Sequence, residues 1–148
     1  MGMTRKWSEI LIHHSATLGR SARTWEAIRR DHVQRRGWRE IGYHYGIGIA
    51  DEVPTVLAGR PESMIGSHCP GKNSTALGVC FLGDFTHRAP EDDVLLFGAG
   101  LLAGLCERHG ISHRRIHPHR QFRATECPGL AFPFDRLLEL VVEELEDY

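Results

Sequence analysis

The chain has little net charge, few cysteines and no long apolar run, and each shortage removes a class of function. Its 18 Lys and Arg stand against 19 Asp and Glu, a formal charge of −1. No global attraction to nucleic acid or to an anionic membrane follows from that balance. The four cysteines, Cys69, Cys80, Cys106 and Cys127, form no Cys-x-x-Cys pair. That excludes a zinc ribbon and a thioredoxin-type redox motif, and nothing requires a disulfide. Cys80 and Cys106 lie among apolar residues and read as small buried hydrophobes, while Cys69 reads as a loop thiol. The most apolar run, Val94–Cys106, is too short to span a bilayer and is broken by Gly98, Gly100 and Gly104. Met1–Arg5 leads into a polar segment with no apolar core or cleavage signature of a signal peptide. The expectation is a chain made in the cytoplasm, without membrane insertion.

What is present is an ordinary globular balance, 41% hydrophobic and 25% charged over 148 residues, with no repeat or linker. That is enough for one domain, residues 1–148, with a real core. Arg20, Arg23, Arg29, Arg30, Arg35, Arg36 and Arg39 crowd one stretch. Asp135, Glu139, Glu143, Glu144, Glu146 and Asp147 crowd the end. Both clusters read as solvated faces of amphipathic helices.

The pattern of elements alternates. Glu9–His13 predicts a buried strand ending at a His pair. Thr24 is the expected N-cap of a helix from Trp25 to about Arg36, stopped by Gly37. Tyr45–Ala50 and Val53–Ala58 suit two strands joined by a turn at Asp51-Glu52. Gly66–Ser74 reads as a long loop, and Leu77–Leu82 as a continuous apolar strand. Pro90 is expected to open a central helix running to about His109, its glycines permitting close approach. Arg115–His117 predicts a short strand. Pro133 or Phe134 opens a last helix with Leu137, Leu138, Val141, Val142 and Leu145 facing inward. The fold class is α/β: a central mixed sheet flanked by about three main helices.

Two distant segments each resemble half of a metal site. One is Ile12-His13-His14-Ser15-Ala16-Thr17; the other runs from His119 to Gly129 and contains Thr125 and Cys127. Two imidazoles and one thiolate would leave a fourth tetrahedral position for water, as a hydrolytic zinc needs. His13 and His14 are adjacent at a strand end, so their side chains point to opposite faces and only one can readily join distant ligands.

The segments between carry a fuller pattern. Arg36-Gly37-Trp38-Arg39-Glu40-Ile41-Gly42-Tyr43-His44-Tyr45, Ala58-Gly59-Arg60, Gly66-Ser67-His68-Cys69-Pro70-Gly71-Lys72-Asn73 and Leu77–Phe85 follow in order. In order and spacing the chain resembles the zinc-dependent N-acetylmuramoyl-L-alanine amidases of the peptidoglycan-recognition-protein type, which include small phage endolysins. The resemblance covers about residues 10–134. It implies one zinc per chain, in a surface groove, held by His13, His119 and Cys127. It implies that Tyr43 orients the attacking water and that Thr125 donates to the developing oxyanion. Some phage members carry Lys where Thr125 stands, so this chain brings no charge there.

The resemblance also places the His68–Asn73 loop along the substrate groove. His68 and Asn73 stand as substrate contacts or as loop-stabilising residues, and Arg60 as a substrate contact or an internal pair. His14, His32 and His44 read as packing or hydrogen-bonding residues, and His117 as no ligand. The implied activity is hydrolysis of the amide between N-acetylmuramic acid and L-alanine, in a minimal phage or prophage endolysin. The implied partner is peptidoglycan, met by a monomer in the periplasm or wall after release. The alternative is a module that holds muropeptide without cutting it, and retention of Cys127 favours catalysis.

Overall fold

The structure is a computed structural model that describes residues 5–146; the first four residues and the last two, including Asp147 of the acidic cluster, lie outside it. Five strands form one sheet: β1 (Glu9–His14), β2 (Tyr45–Ala50), β3 (Val53–Ala58), β4 (Ala76–Phe81) and β5 (Ile116–Pro118). Three α-helices accompany them: α1 (Ala22–Arg30), α2 (Asp92–His109) and α3 (Phe134–Glu146). The strand order is β3-β2-β4-β1-β5. Only β2 and β3 pair antiparallel; the other neighbours run parallel, so the sheet is mixed. β2, β4 and β1 are its interior strands; every residue of β4 is buried, as are all of β1 but His14. Strands covered on both faces read as unbroken apolar runs, which is how both appear in the sequence. Among the described residues no helix is long and apolar enough to cross a membrane.

The two-residue alternation of the pleat divides the core. Ile10 and Ile12 of β1, with Leu77, Val79 and Phe81 of β4, meet α2 and α3 on one face. On the other face Cys80 packs with Trp25 of α1, Ile41 and Leu82. A Cβ at Gly46 would lie 2.6 Å from the Trp25 ring, so the absence of a side chain there lets α1 close on the sheet. Gly98 does the same for α2, where a Cβ would lie 2.5 Å from Phe81.

Several local expectations need correcting. The cap of α1 is Ser21, whose hydroxyl accepts from the Thr24 N–H; Thr24 already lies inside the first turn. The helix stops being α-helical at Arg30 and widens into a π-turn over Asp31–Arg35 before Gly37, at φ +73°, ends it. The central helix begins at Asp92, not Pro90, although Asp92 and Asp93 occupy its first turn as their charge favours. Of its glycines only Gly98 serves close packing; Cβ atoms at Gly100 and Gly104 would meet nothing. In α3 the buried residues are Leu137, Leu140 and Val141, with Leu138 and Leu145 partly covered. Cys69 does lie in its loop, as expected, with its thiol fully buried beside Leu11 and Ala76. The β2–β3 turn is as expected: Asp51 and Glu52 both take positive φ, the geometry of a two-residue hairpin.

Candidate metal centre and groove

The pleat that sends Ile12 toward α2 sends His13 to the opposite face. His13, the last residue but one of β1, lies opposite Cys80 of β4 and is 1% exposed. His14 turns the other way, and its Nδ1 accepts from the Phe85 N–H at 3.1 Å. It belongs to the packing, as expected. His119 follows β5 directly, in a short 3-10 turn over His119–Gln121. Because β5 pairs with β1, the turn arrives beside His13, with ring centroids 4.5 Å apart. The loop after it folds back so that the Arg120 N–H donates to the Cys127 carbonyl at 2.9 Å. That bond carries Cys127 to the same place, and its sulfur accepts from the His14 N–H at 3.3 Å.

The result is a cluster of His13, His119 and Cys127 whose donor atoms all lie within 4.8 Å of one another. His13 Nδ1 stands 3.9 Å from Cys127 Sγ. A tetrahedral zinc would hold a nitrogen and a sulfur about 3.6 Å apart. The donor set therefore fits zinc with a small inward adjustment. The electrostatics agree. Burial lowers the pKa of His13 well below its ordinary value, helped by His68 and His119, and burial with Arg123 lowers that of His119. Both rings keep lone pairs to give. Burial pushes the Cys127 thiol up to about 11, so its sulfur stays protonated until a cation compensates the thiolate.

The cluster opens into a groove of about 310 Å³ whose walls include Tyr43, Thr125, His32, Arg36 and Trp38. Tyr43 lies beside His13, with ring centroids 5.2 Å apart. Burial, then the neighbouring Cys80 and Cys127, raises its phenol well above the ordinary value, so the hydroxyl is a donor and not a base. Thr125 Oγ1 accepts from the Cys127 N–H at 3.2 Å, which leaves its hydroxyl proton free for a ligand. The π-turn supplies His32, whose Nδ1 accepts from the Gly42 N–H at 3.0 Å, and Arg36 follows it, its guanidinium over Trp38 at 5.3 Å. A widened turn at a functional groove is a recurrent arrangement.

Two of the expected substrate contacts point away from the groove. Arg60 is 8% exposed, and its guanidinium donates to the carbonyls of Ile41, Ile65 and Glu40 at 2.9, 2.8 and 3.3 Å. It is spent on holding the chain before and after β2 and β3. Asn73 Oδ1 accepts from the backbone N–H groups of His68 and Cys69 at 2.8 and 2.9 Å, which is the loop-stabilising alternative. His68 does border the groove, but its ring nitrogens face His13 and the Ala76 carbonyl. His44 is internal, between the Gly78 N–H and the Met64 carbonyl. His117 stands near Glu9 and Phe122, outside the cluster. Cys80, next to the Tyr43 phenol, and His32 of the π-turn carry no sequence signal that assigns them to the site. An apolar strand hides the first, and a helix of ordinary pattern hides the second.

Comparison with known proteins points the same way. The family model described as N-acetylmuramoyl-L-alanine amidase matches residues 3–130. Peptidoglycan-recognition protein LB of Drosophila melanogaster is 33% identical over 127 residues, 81% of this chain and 53% of that protein. The chain thus spans about half the length of that relative. The solved structure of N-acetylmuramoyl-L-alanine amidase LysC from Clostridium intestinale URNW matches with a TM-score of 0.77 and 30% identity, over 90% of this chain and 84% of that one. Peptidoglycan recognition protein-LE, solved in complex with tracheal cytotoxin, a monomeric diaminopimelic acid-type peptidoglycan, matches at 0.77 and 28%, over 92% and 82%. With its five-stranded mixed sheet and its family match over most of its length, the chain belongs to the N-acetylmuramoyl-L-alanine amidase family.

Proposed function

We propose that this protein is a zinc-dependent hydrolase of the amide bond between N-acetylmuramic acid and L-alanine in peptidoglycan. The observation that carries the reading is the three-donor cluster of His13, His119 and Cys127 at the floor of an open groove. Three protein donors leave one position for water, which distinguishes a hydrolytic site from a closed structural one. A zinc ion held there would lower the pKa of a bound water toward neutrality and polarise the scissile carbonyl.

The remaining work falls to the chain. The groove holds the sugar and the stem peptide on either side of the scissile bond. Tyr43 keeps its proton, so its hydroxyl donates and orients the attacking oxygen beside His13. Thr125 has its oxygen fixed by the Cys127 N–H and turns its proton toward the oxyanion. Water adds to the carbonyl carbon and, as the C–N bond breaks, a proton from that water passes to the departing nitrogen, leaving a lactyl carboxylate and a free L-alanine amino terminus. Its likeness to an amidase as well as to recognition proteins leaves a non-hydrolytic muropeptide binder as the second reading, and the intact donor set with Tyr43 favours hydrolysis. The finer reading is a monomeric wall-degrading lysin of the endolysin kind, acting in the periplasm or wall.

Digestion of purified sacculi with the zinc-loaded protein tests this. Mass spectrometry should find new L-alanine amino termini and intact glycan chains. New reducing sugar ends, or release of nothing while muropeptide still binds, would overturn the proposal.

A further inference from the structure

His68 is held in place more elaborately than a loop residue requires. Its backbone N–H donates to Asn73 Oδ1. Its ring lies in a slot between two glycines. A Cβ at Gly66 would stand 2.5 Å from the ring, and one at Gly78 would stand 2.7 Å from it. Both ring nitrogens are engaged: Nε2 is 3.0 Å from the Ala76 carbonyl oxygen, and Nδ1 is 2.9 Å from His13 Nε2. The residue is 8% exposed.

These contacts fix the protons. A carbonyl oxygen only accepts, so His68 Nε2 must carry a hydrogen. In a neutral ring, Nδ1 then bears a lone pair. That lone pair needs a donor, so His13 Nε2 carries the second hydrogen. His13 Nδ1 is thereby left bare, and it is the nitrogen that faces Cys127 Sγ. We propose that His68 is a positioning residue: with the Ala76 carbonyl behind it, it locks His13 in the tautomer that presents the Nδ1 lone pair to the metal position. This rests on the hydrolase reading for what the lone pair is for, but not for the proton positions themselves.

The arrangement explains residues that the groove does not use. Gly66, Gly78 and Asn73 serve the placement of one imidazole. Without the relay, His13 Nε2 would lose the acceptor that holds its hydrogen, and metal binding would have to include selection of the tautomer and re-solvate or strand an N–H in the core. Partners of this kind typically account for ten- to a hundred-fold in metal affinity.

Two measurements test it. The first is the 15N and 1H chemical shifts of the imidazole nitrogens in the metal-free wild-type protein. His13 and His68 should both carry their proton on Nε2 and be bare at Nδ1; a proton on His13 Nδ1 overturns the proposal. The second is zinc affinity, by competition with a chromophoric chelator, for the isosteric pair His68→Asn and His68→Leu. Both lose the Ala76 bond, but Asn keeps an acceptor where Nδ1 stood. The Leu variant should bind zinc about ten- to a hundred-fold more weakly than wild type, and Asn should recover most of that loss. Equal affinities in the two variants would reduce His68 to a packing residue and overturn the relay. If neither variant folds, the proton positions in the wild-type protein still decide. If the wild-type protein takes up no zinc, the hydrolase reading fails, while the same proton positions still support or overturn the relay.

Discussion

β1 carries a buried polar residue near each end, and the two are treated in opposite ways. At its start Glu9, 5% exposed, is surrounded by donors. Lys72 Nζ lies 3.1 and 3.3 Å from its two oxygens and Thr75 Oγ1 3.0 Å from one of them, with Arg115 and His117 within 4 Å. At its far end His13 is as deeply buried, yet one of its nitrogens faces other donors and an open groove. Glu9 is a charge whose lone pairs are satisfied from within the fold. His13, His119 and Cys127 are neutral donors whose ligand atoms face one another within 4.8 Å. Burial with complete satisfaction is a structural use of polarity. Burial with lone pairs left over, aimed at a cavity, is the arrangement of a site awaiting a ligand.

The sharpest way to break this contrast is to remove a donor from the unsatisfied end. Cys127→Ser should leave the fold intact and cut hydrolysis of sacculi by about a thousand-fold or more, because a Ser hydroxyl stays protonated and binds zinc poorly. Binding of a muramyl peptide, read by calorimetry, should persist, since His32, Arg36, Trp38 and Tyr43 of the groove wall come from other segments. Unchanged turnover would remove Cys127 from the metal site. Loss of folding would make the cluster structural as well, and the contrast between the two ends would fail. The wild-type titration offers a companion measurement. Because burial holds the thiol near 11, zinc uptake at pH 7 should release about one proton from Cys127, and affinity should rise with pH by about tenfold per unit. Proton-independent uptake would mean that the sulfur is not a ligand.

Tyr43→Phe comes next. It keeps the ring that packs beside His13 and removes only the donor. Turnover should fall on the order of ten- to a thousand-fold with zinc affinity unchanged. If rate and metal content both hold, the hydroxyl belongs to the packing around Cys80 and not to the reaction.

Glu9→Gln tests the satisfied end. Burial alone would raise the Glu9 pKa, but Lys72, Thr75 and the charge of Arg115 outweigh it and hold it below the ordinary 4.5. A carboxylate with a depressed folded pKa contributes stability that is fully present above 4.5 and is lost as pH falls through the folded value. The substitution should cost roughly 1–3 kcal/mol at pH 7 in denaturant unfolding. It should also flatten the loss of stability below pH 4.5, while zinc affinity stays within a few-fold. An effect on zinc equal to that of the Cys127 change would show the two ends to be one coupled unit.

The same two ends show what a sequence discloses. The apolar runs of β1 and β4 announce buried strands, and the pleat alone tells that His13 and His14 part company. The wider pattern of motifs brings His119 and Cys127 to His13, although they stand more than a hundred residues away. What stayed hidden depends on direction. Arg60 and Asn73 occur where a groove residue belongs, but a guanidinium can turn inward to three carbonyls and an amide can cap its own loop without any change in composition. The π-turn over Asp31–Arg35 is invisible because it closes the helical segment, so no further turns follow in which the shifted face would show. His68 was legible as a groove residue; that its ring lies on the far side of His13 required the positions of Gly66, Gly78 and Ala76.

The smallest effect is expected at Thr125, where the two uses of polarity meet in one side chain. Its oxygen is committed to the fold by the Cys127 N–H, and only its proton is free. Thr125→Val keeps the shape and removes both functions. The lost neutral hydrogen bond to the oxyanion should slow turnover by about tenfold, less than the hundred-fold or more seen where a preorganised donor is deleted from a closed oxyanion site, because this residue is exposed. The lost cap on Cys127 should loosen the sulfur and weaken zinc by a few-fold. Thr125→Ser restores both bonds and should return rate and affinity together. Thr125→Lys adds a charge at the groove wall, and supplying that charge should raise turnover above the Val variant even though the cap is not rebuilt. If Lys and Val are equally slow while Ser is fully active, the hydroxyl acts through Cys127 alone. The oxyanion would then be stabilised by Tyr43 and the metal position, with Thr125 counted among the structural contacts.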